Sequence, residues 1–401
     1  MKLRTLFVPL FLTFLLSLSK VQWSEVDSEL ANFTSQQQTF GMLNDKYSVM
    51  VLFAALLPFV QFIGNPVMRA GLLPCLLIGM AAISVLWTFD VGTTVFTLLV
   101  LLSTLGYGLV AIKLLGYDAT LRWLWLFGST VVLISAALAA TGDPHAIMGG
   151  NHEGAWRGLF GHKNTFGPFV GVHALLTLYG RKRLGLPWLV VATFVAVDGY
   201  VLVNSRSGTA LIAAATAMLA GLMFLPIRSR ELRAIWRSVG VVGVIASASI
   251  LVIAPETVLN TLGRDTTLSN RTIMWAAVYD LTFAHKLGTG YGTGGGSQAS
   301  IEVQKAVGRR DAQGVQSGYL NLALELGWVT VAMFVFWLFW EIGFTLVNRS
   351  SLNDQSLFTA LAVNHLVESY SESFGGIYPS WLLMTLVIAL LILRSPPKPQ
   401  A

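Results

Sequence analysis

Charge is what this chain has least of: 11% of its 401 residues are Asp, Glu, Lys or Arg, against roughly 25% in a soluble domain. That shortage excludes a water-covered globular fold. Cysteine is nearly absent too, Cys75 being the only one, so no intrachain disulfide forms and no redox compartment is indicated. The sequence holds no D-x-D, no P-loop, no G-x-S-x-G elbow and no histidine pair at metal-ligand spacing. ATP therefore has no evident seat, a nucleophilic triad has no local support, and no metal or other cofactor is expected. Stretches of about ten alternating residues, which mark a membrane barrel, are missing as well.

What the chain does have is apolar sequence, 54% of the total. It comes in blocks of about 17 to 25 residues, the length a helix needs to cross roughly 30 Å of hydrocarbon. About twelve such blocks at roughly 20 residues each leave room for loops and one larger polar insertion. The expected fold is therefore all-α and polytopic, with about twelve transmembrane helices. It forms a single membrane domain over residues 1–401 with a large outer loop at 255–316. The net charge of +6 punctuates the spans instead of forming a patch, so the partner it indicates is the lipid bilayer and not nucleic acid.

The first 19 residues, with Lys2 and Arg4 ahead of an apolar core, read as a retained span, with a cleaved signal peptide as the alternative. Further spans are expected near 48–64, 70–89, 91–114, 121–141, 164–180, 186–203, 208–227, 238–254, 319–347, 355–368 and 377–393. If the N-terminus is cytoplasmic, Arg69, Lys113, Arg122, Arg181 to Arg183, Arg228 to Arg237, Arg349 and Arg394 all fall on the inner side. The outer side then holds 142–163, the turn at 204–208, the large loop and 369–376.

The basic residues that break this pattern are Arg157, Lys163, Arg206, Arg264, Arg271, Lys286, Lys305, Arg309 and Arg310. Lys163 opens a span, where free backbone N–H groups and the helix dipole suit an anion; the plainer reading is an interfacial lysine. Arg206 sits in a five-residue turn, poised to meet an anion or to pair between helices. Arg264 and Arg271 flank a helical pattern at 273–285 whose Met274, Ala277, Val278 and Leu281 suit a helix lying on the bilayer surface between the ninth and tenth spans. The glycine string at 288–296 contains G-x-G-x-x-G, but no strand precedes it, so it reads as a mobile loop and not a dinucleotide site. Asn364, His365, Glu368 and Glu372 close the eleventh span; polar groups at membrane depth are functional candidates or interhelical hydrogen bonds.

Lys163-Asn164, Ser205-Arg206-Ser207-Gly208, Gly263-Arg264-Asp265, Asn270-Arg271-Thr272 with Trp275, the 288–292 turn and the run from Gly318 to Gly327 occur in this order around one large loop. In this the chain resembles the O-antigen ligase and Wzy-type polysaccharide polymerase superfamily of bacterial inner membranes. The resemblance implies a multi-pass inner-membrane glycosyltransferase of the GT-C-like kind, with its site facing the periplasm. Its donor would be an undecaprenyl-pyrophosphate-linked oligosaccharide, its acceptor a glycan hydroxyl, and a polysaccharide chain-length regulator is a further implied partner. On that resemblance Arg206, Arg264, Arg271 and Lys163 hold the pyrophosphate, while Asn164 and Tyr319 contact substrate.

One position departs from the family pattern: Gln316 stands where relatives carry the histidine taken as general base, and an amide cannot take a proton there. Three readings follow. Gln316 orients the acceptor while Glu368 or Glu372 removes its proton; His162 or His285 substitutes; or activity has been lost. Polymerisation of lipid-linked repeat units is the leading expectation, with ligation to a lipid core its near rival. A lipid-linked glycan transporter predicts charges spread through the spans and internal repeats, neither of which the sequence has.

Overall fold

The computed structural model describes residues 2–18, 46–62, 71–253, 268–285, 288–294, 303, 315–347, 350–372 and 377–395. In chain order the helices are α1 (Lys2–Leu18), α2 (Lys46–Leu56), α3 (Leu72–Ile83), α4 (Val91–Leu115), α5 (Tyr117–Ala140), α6 (Lys163–Tyr179) and the short α7 (Arg181–Leu184). They continue with α8 (Trp188–Ser205), α9 (Gly208–Leu222), α10 (Arg230–Ile253), α11 (Leu268–His285), α12 (Gly318–Val347), α13 (Leu352–Ser371) and α14 (Trp381–Leu393). Among the described residues there is no strand beyond one isolated bridge, Ile147 with Trp156. Each expected span overlaps a helix, with bounds that differ by up to eight residues, as where Arg230–Ile253 begins well before the expected 238. Among the described residues four helices, α4, α5, α8 and α12, are long and apolar enough to cross a membrane by length and composition. The all-helical membrane class therefore stands; twelve crossings remain an expectation.

Helix boundaries follow from capping chemistry. Asp90 accepts from the Thr93 N–H at the head of α4, Ser351 from Asp354 before α13, and Ser380 from Leu383 before α14, at 3.1 to 3.2 Å. Each satisfies an N–H that the first turn cannot. The centre of the bundle is α13, packed against α6, α9, α12 and α14. Small residues let these helices approach: a Cβ on Gly167 would stand 2.7 Å from that of Ser207 and 2.9 Å from that of Ala210, so α6 and α9 are nearly in backbone contact there.

Among the described residues, cations expected on the cytoplasmic side lie at one end of this bundle; Arg69 and Arg349 fall outside the described residues. Arg183 grips Asp354 through Nε and Nη2 at 2.5 and 2.8 Å and Asp118 at 2.8 Å, joining α7, α13 and α5. The bond to Asp354 first, offset by burial, holds its guanidinium above the ordinary arginine value. Arg394 pairs with Glu341, tying α14 to α12, and Arg237 reaches the Leu346 carbonyl. The turns at 142–162, 204–207 and 315–317 lie at the opposite end.

The bundle core also contains a polar chain that no local motif announced. His173 on α6 holds Asp198 of α8 through Nδ1 at 2.9 Å, and its Nε2 meets the Ser129 hydroxyl of α5 at 3.0 Å. His173 and Asp198 are fully buried. Gly128 makes the space: a Cβ there would stand 2.7 Å from the His173 ring. Removing one partner of such a pair strands the other, at a cost of about 3–5 kcal/mol. We expect His173→Leu and Asp198→Leu each to lose that much, and the double variant to lose far less than the sum, measured as a cycle of thermal unfolding in detergent.

Candidate functional site

The end opposite Arg183, expected to be the outer one, begins with the 142–162 segment, which folds back on itself and onto the turn between α8 and α9. The Trp156 backbone N–H donates to the Asn204 carbonyl at 3.0 Å, and the Trp156 ring meets Tyr200 edge-on at 5.4 Å. Arg157, one of the cations that broke the charge pattern, is buried and spends its guanidinium on the carbonyls of His145 (2.9 Å) and Pro144 (3.4 Å). Burial draws its pKa below the ordinary arginine value. Its role is to hold this segment, so it leaves the list of ligand-binding candidates.

Lys163, His162 and Arg206 do come together. The His162 ring accepts the Asn164 N–H at 3.1 Å as the cap of α6, which makes Lys163 the first helical residue. Lys163 is 7% exposed, and its ammonium reaches the Arg206 carbonyl at 3.5 Å. Arg206 caps α8 in the left-handed conformation (φ 50°) and is itself exposed. One of its N–H groups donates to the Glu153 carbonyl at 2.9 Å. His152 packs edge-on against His162 at 5.5 Å. Sequence reading had missed His152 and Glu153, because nothing local ties residues 152 and 153 to a turn some fifty positions later.

A second group surrounds Gln316, which is half-buried and adopts φ 46° immediately before α12. Trp275 of α11 donates to the Val315 carbonyl at 2.9 Å and meets Tyr370 edge-on at 5.4 Å. Ser317 donates to the Ser369 carbonyl at 3.4 Å, and the Tyr319 hydroxyl to that of Leu366 at 2.7 Å. Gln316 and Tyr319 are thus fastened to the outer end of α13. Tyr319 spends its hydroxyl on that bond. Arg271 lies within α11 one turn before Trp275, whereas Arg264, Lys305, Arg309 and Arg310 fall outside the described residues, as does Lys286.

Two expectations about this region need correcting. The helix expected at 273–285 starts earlier, at Leu268, and neighbouring protein covers Met274 and Val278 of its apolar face. Met274 and Val278 are buried against Tyr291, Val315 and Leu324, and Trp328 of α12 donates to Thr282 at 2.9 Å. An amphipathic stripe reads alike whether lipid or a neighbouring helix covers it. The glycine string, read as a mobile loop, is in its described part (288–294) a fitted brace. Gly327 breaks α12 (φ 82°, ψ 166°). The Leu324 and Glu325 carbonyls just before that break accept from the N–H groups of Tyr291 (2.6 Å) and Gly292 (2.8 Å). A Cβ on Gly290 would stand 2.4 Å from the Glu325 carbonyl carbon, so close backbone approach is what the glycine supplies.

The helix register connects the two groups. A Cβ on Gly171 of α6 would stand 3.9 Å from the Asn364 Oδ1 of α13, and the helices run antiparallel. One turn outward, about 6 Å along each axis, Gly167 and Glu368 share a level; two turns outward, Lys163 and Glu372 do. Glu368 is 1% exposed, and neither of its carboxyl oxygens has a hydrogen-bond partner among the described residues. It therefore lies beneath the Lys163–Arg206 junction. Of the other candidate bases, His162 is committed through Nδ1 to its cap, and His285 ends α11.

Residues 191–335, from α8 into α12, match a family model described as O-antigen ligase. That stretch includes Arg206, Arg264, Arg271, Gln316 and Tyr319 but neither Lys163 nor Glu368. The match supports the O-antigen ligase and Wzy-type superfamily. No curated protein matches the chain.

Proposed function

We propose that this chain, O-antigen-ligase-like over residues 191–335, is a single-domain membrane glycosyltransferase. It polymerises undecaprenyl-pyrophosphate-linked repeat units at the periplasmic face of a bacterial inner membrane. The observation that carries the reading is the buried Lys163, at a helix start and joined to the Arg206 turn, at the same end of the bundle as Gln316 and Glu368. Cleavage at the anomeric carbon leaves a pyrophosphate of growing negative charge. A guanidinium offers it forked donors, and a helix start offers N–H groups. At 4 Å and an effective dielectric near 20, one such charge pair is worth about 4 kcal/mol before desolvation. Arg264 and Arg271 add to this clamp, no metal takes part, and the activated donor supplies the driving force. Gln316 orients the acceptor hydroxyl while Glu368 takes its proton; Asn164 contacts the donor.

The family description favours a second reading, transfer of the finished glycan to a lipid core. The two differ in the acceptor. Deletion of the gene followed by analysis of lipid-linked glycans separates them. We expect single repeat units to accumulate; long carrier-bound chains would establish the ligase instead, and an unaltered glycan profile would remove both.

A further inference from the structure

Ser207, Asn364 and Glu368 are 2%, 0% and 1% exposed. The Ser207 hydroxyl, both amide atoms of Asn364 and both carboxyl oxygens of Glu368 have no hydrogen-bond partner among the described residues. Buried polar groups in folded proteins nearly always meet a partner, either protein or water, and these five atoms lie on facing helices within two turns of one another. Gly167 places Ser207 at the level of Glu368, and Gly171 faces Asn364 one turn below. The wall opposite Asn364 is small: a Cβ on Gly171 would make only ordinary contacts, 3.5 Å to Ala214 Cβ and 3.9 Å to Asn364 Oδ1. The atoms include donors (the Ser207 hydroxyl and Asn364 Nδ2) as well as acceptors. Water, which both donates and accepts, suits that mixture, and a cation does not.

We propose that Ser207, Asn364 and Glu368 form an internal water site between α6, α9 and α13, and that its water carries the acceptor's proton to Glu368. The proton path rests on the transferase reading; the water site does not. As the acceptor oxygen bonds to the anomeric carbon, the bond from that carbon to the pyrophosphate oxygen opens and its electron pair leaves with the pyrophosphate. The hydroxyl proton passes to the bound water, which gives one of its own to the Glu368 carboxylate, and Glu368 returns it to solvent at the outer end after product leaves. The same water supplies the donors that a buried carboxylate requires. Asn364 is a positioning residue that holds the water from below.

Two variants test this, Asn364→Leu, which removes the floor, and Gly171→Ala, which fills the facing space without a clash. In infrared spectra of the purified protein the Glu368 carboxyl bands are identified by their loss in Glu368→Gln. Both variants should shift those bands toward a less hydrogen-bonded carboxyl and slow their response to D2O. Turnover should fall about tenfold to a hundredfold, with KM for the lipid-linked donor within about twofold of wild type. Bands unchanged in both variants overturn the water site whatever the turnover. Shifted bands with unchanged turnover overturn the proton path. A wild-type protein with water-linked Glu368 bands that transfers no glycan overturns the transferase reading, and the path with it, while the water site stands.

Discussion

Arg206→Ala is expected to abolish chain extension while leaving protein level and membrane insertion unaltered. The side chain is exposed and uses one N–H on the Glu153 carbonyl, which leaves most of its five donors for a ligand, while the Lys163 ammonium meets the same residue's backbone carbonyl. Removing one preorganised donor to a developing anion typically costs about 10²–10³ in rate, and a guanidinium supplies two. Its left-handed φ of 50° does not confound the alanine result, because arginine and alanine both carry the Cβ that is strained there by about 1–2 kcal/mol. Arg206→Gly removes the strain as well as the side chain: it should fold at least as well as wild type and be as inactive as the alanine variant. Arg206→Lys discriminates further. A lysine can reach the Glu153 carbonyl and would restore a loop anchor, but as a point charge it cannot fork onto phosphate oxygens. It should rescue poorly. Polymer lengths like wild type in the alanine variant would remove the pyrophosphate clamp.

The helices were legible because burial in lipid imposes long apolar runs, and the positions of Lys163 and Arg206 were legible because each breaks the charge rule that governs loops. Their mutual contact was not, since forty-three residues separate them and only tertiary folding joins the two turns. The same holds for Ser129, His173 and Asp198, which lie 44 and 25 residues apart in sequence on three helices. Ionisable residues at mid-span were the available signal for His173 and Asp198, and nothing pointed to the serine. Gly327 could have been read as a break in a thirty-residue helix. What it frees, and why the 288–294 glycines pack against it, depends on backbone distances that composition does not encode. Glu368 stood out as a carboxyl at membrane depth; that its oxygens are buried without partners is information only packing supplies.

Glu368→Gln should reduce turnover about 10²–10⁴-fold, the contribution of a positioned general base, with donor affinity retained because Glu368 lies beneath the cations and not among them. Glutamine is isosteric and keeps one acceptor, so loss of fold is not an alternative explanation for a well-inserted variant. The informative comparison is Gln316→His, which places the usual family base at the half-buried residue before α12. Histidine tolerates the left-handed backbone found there (φ 46°) better than most residues, so the variant should fold. If Glu368 takes the proton, Gln316→His leaves turnover within a few-fold of wild type, and adding it to Glu368→Gln restores part of what was lost. A large gain from Gln316→His in the presence of Glu368 would mean instead that the native site lacks an effective base. The carboxyl would then be a packing element of α13, and the chain a weakened transferase. His162→Ala separates the remaining possibility. Because the ring is the cap of α6 through Nδ1, its loss should lower stability by about 1 kcal/mol. His162→Asn, which restores the cap without a titratable ring, should recover turnover if His162 is structural and fail to do so if it is the base.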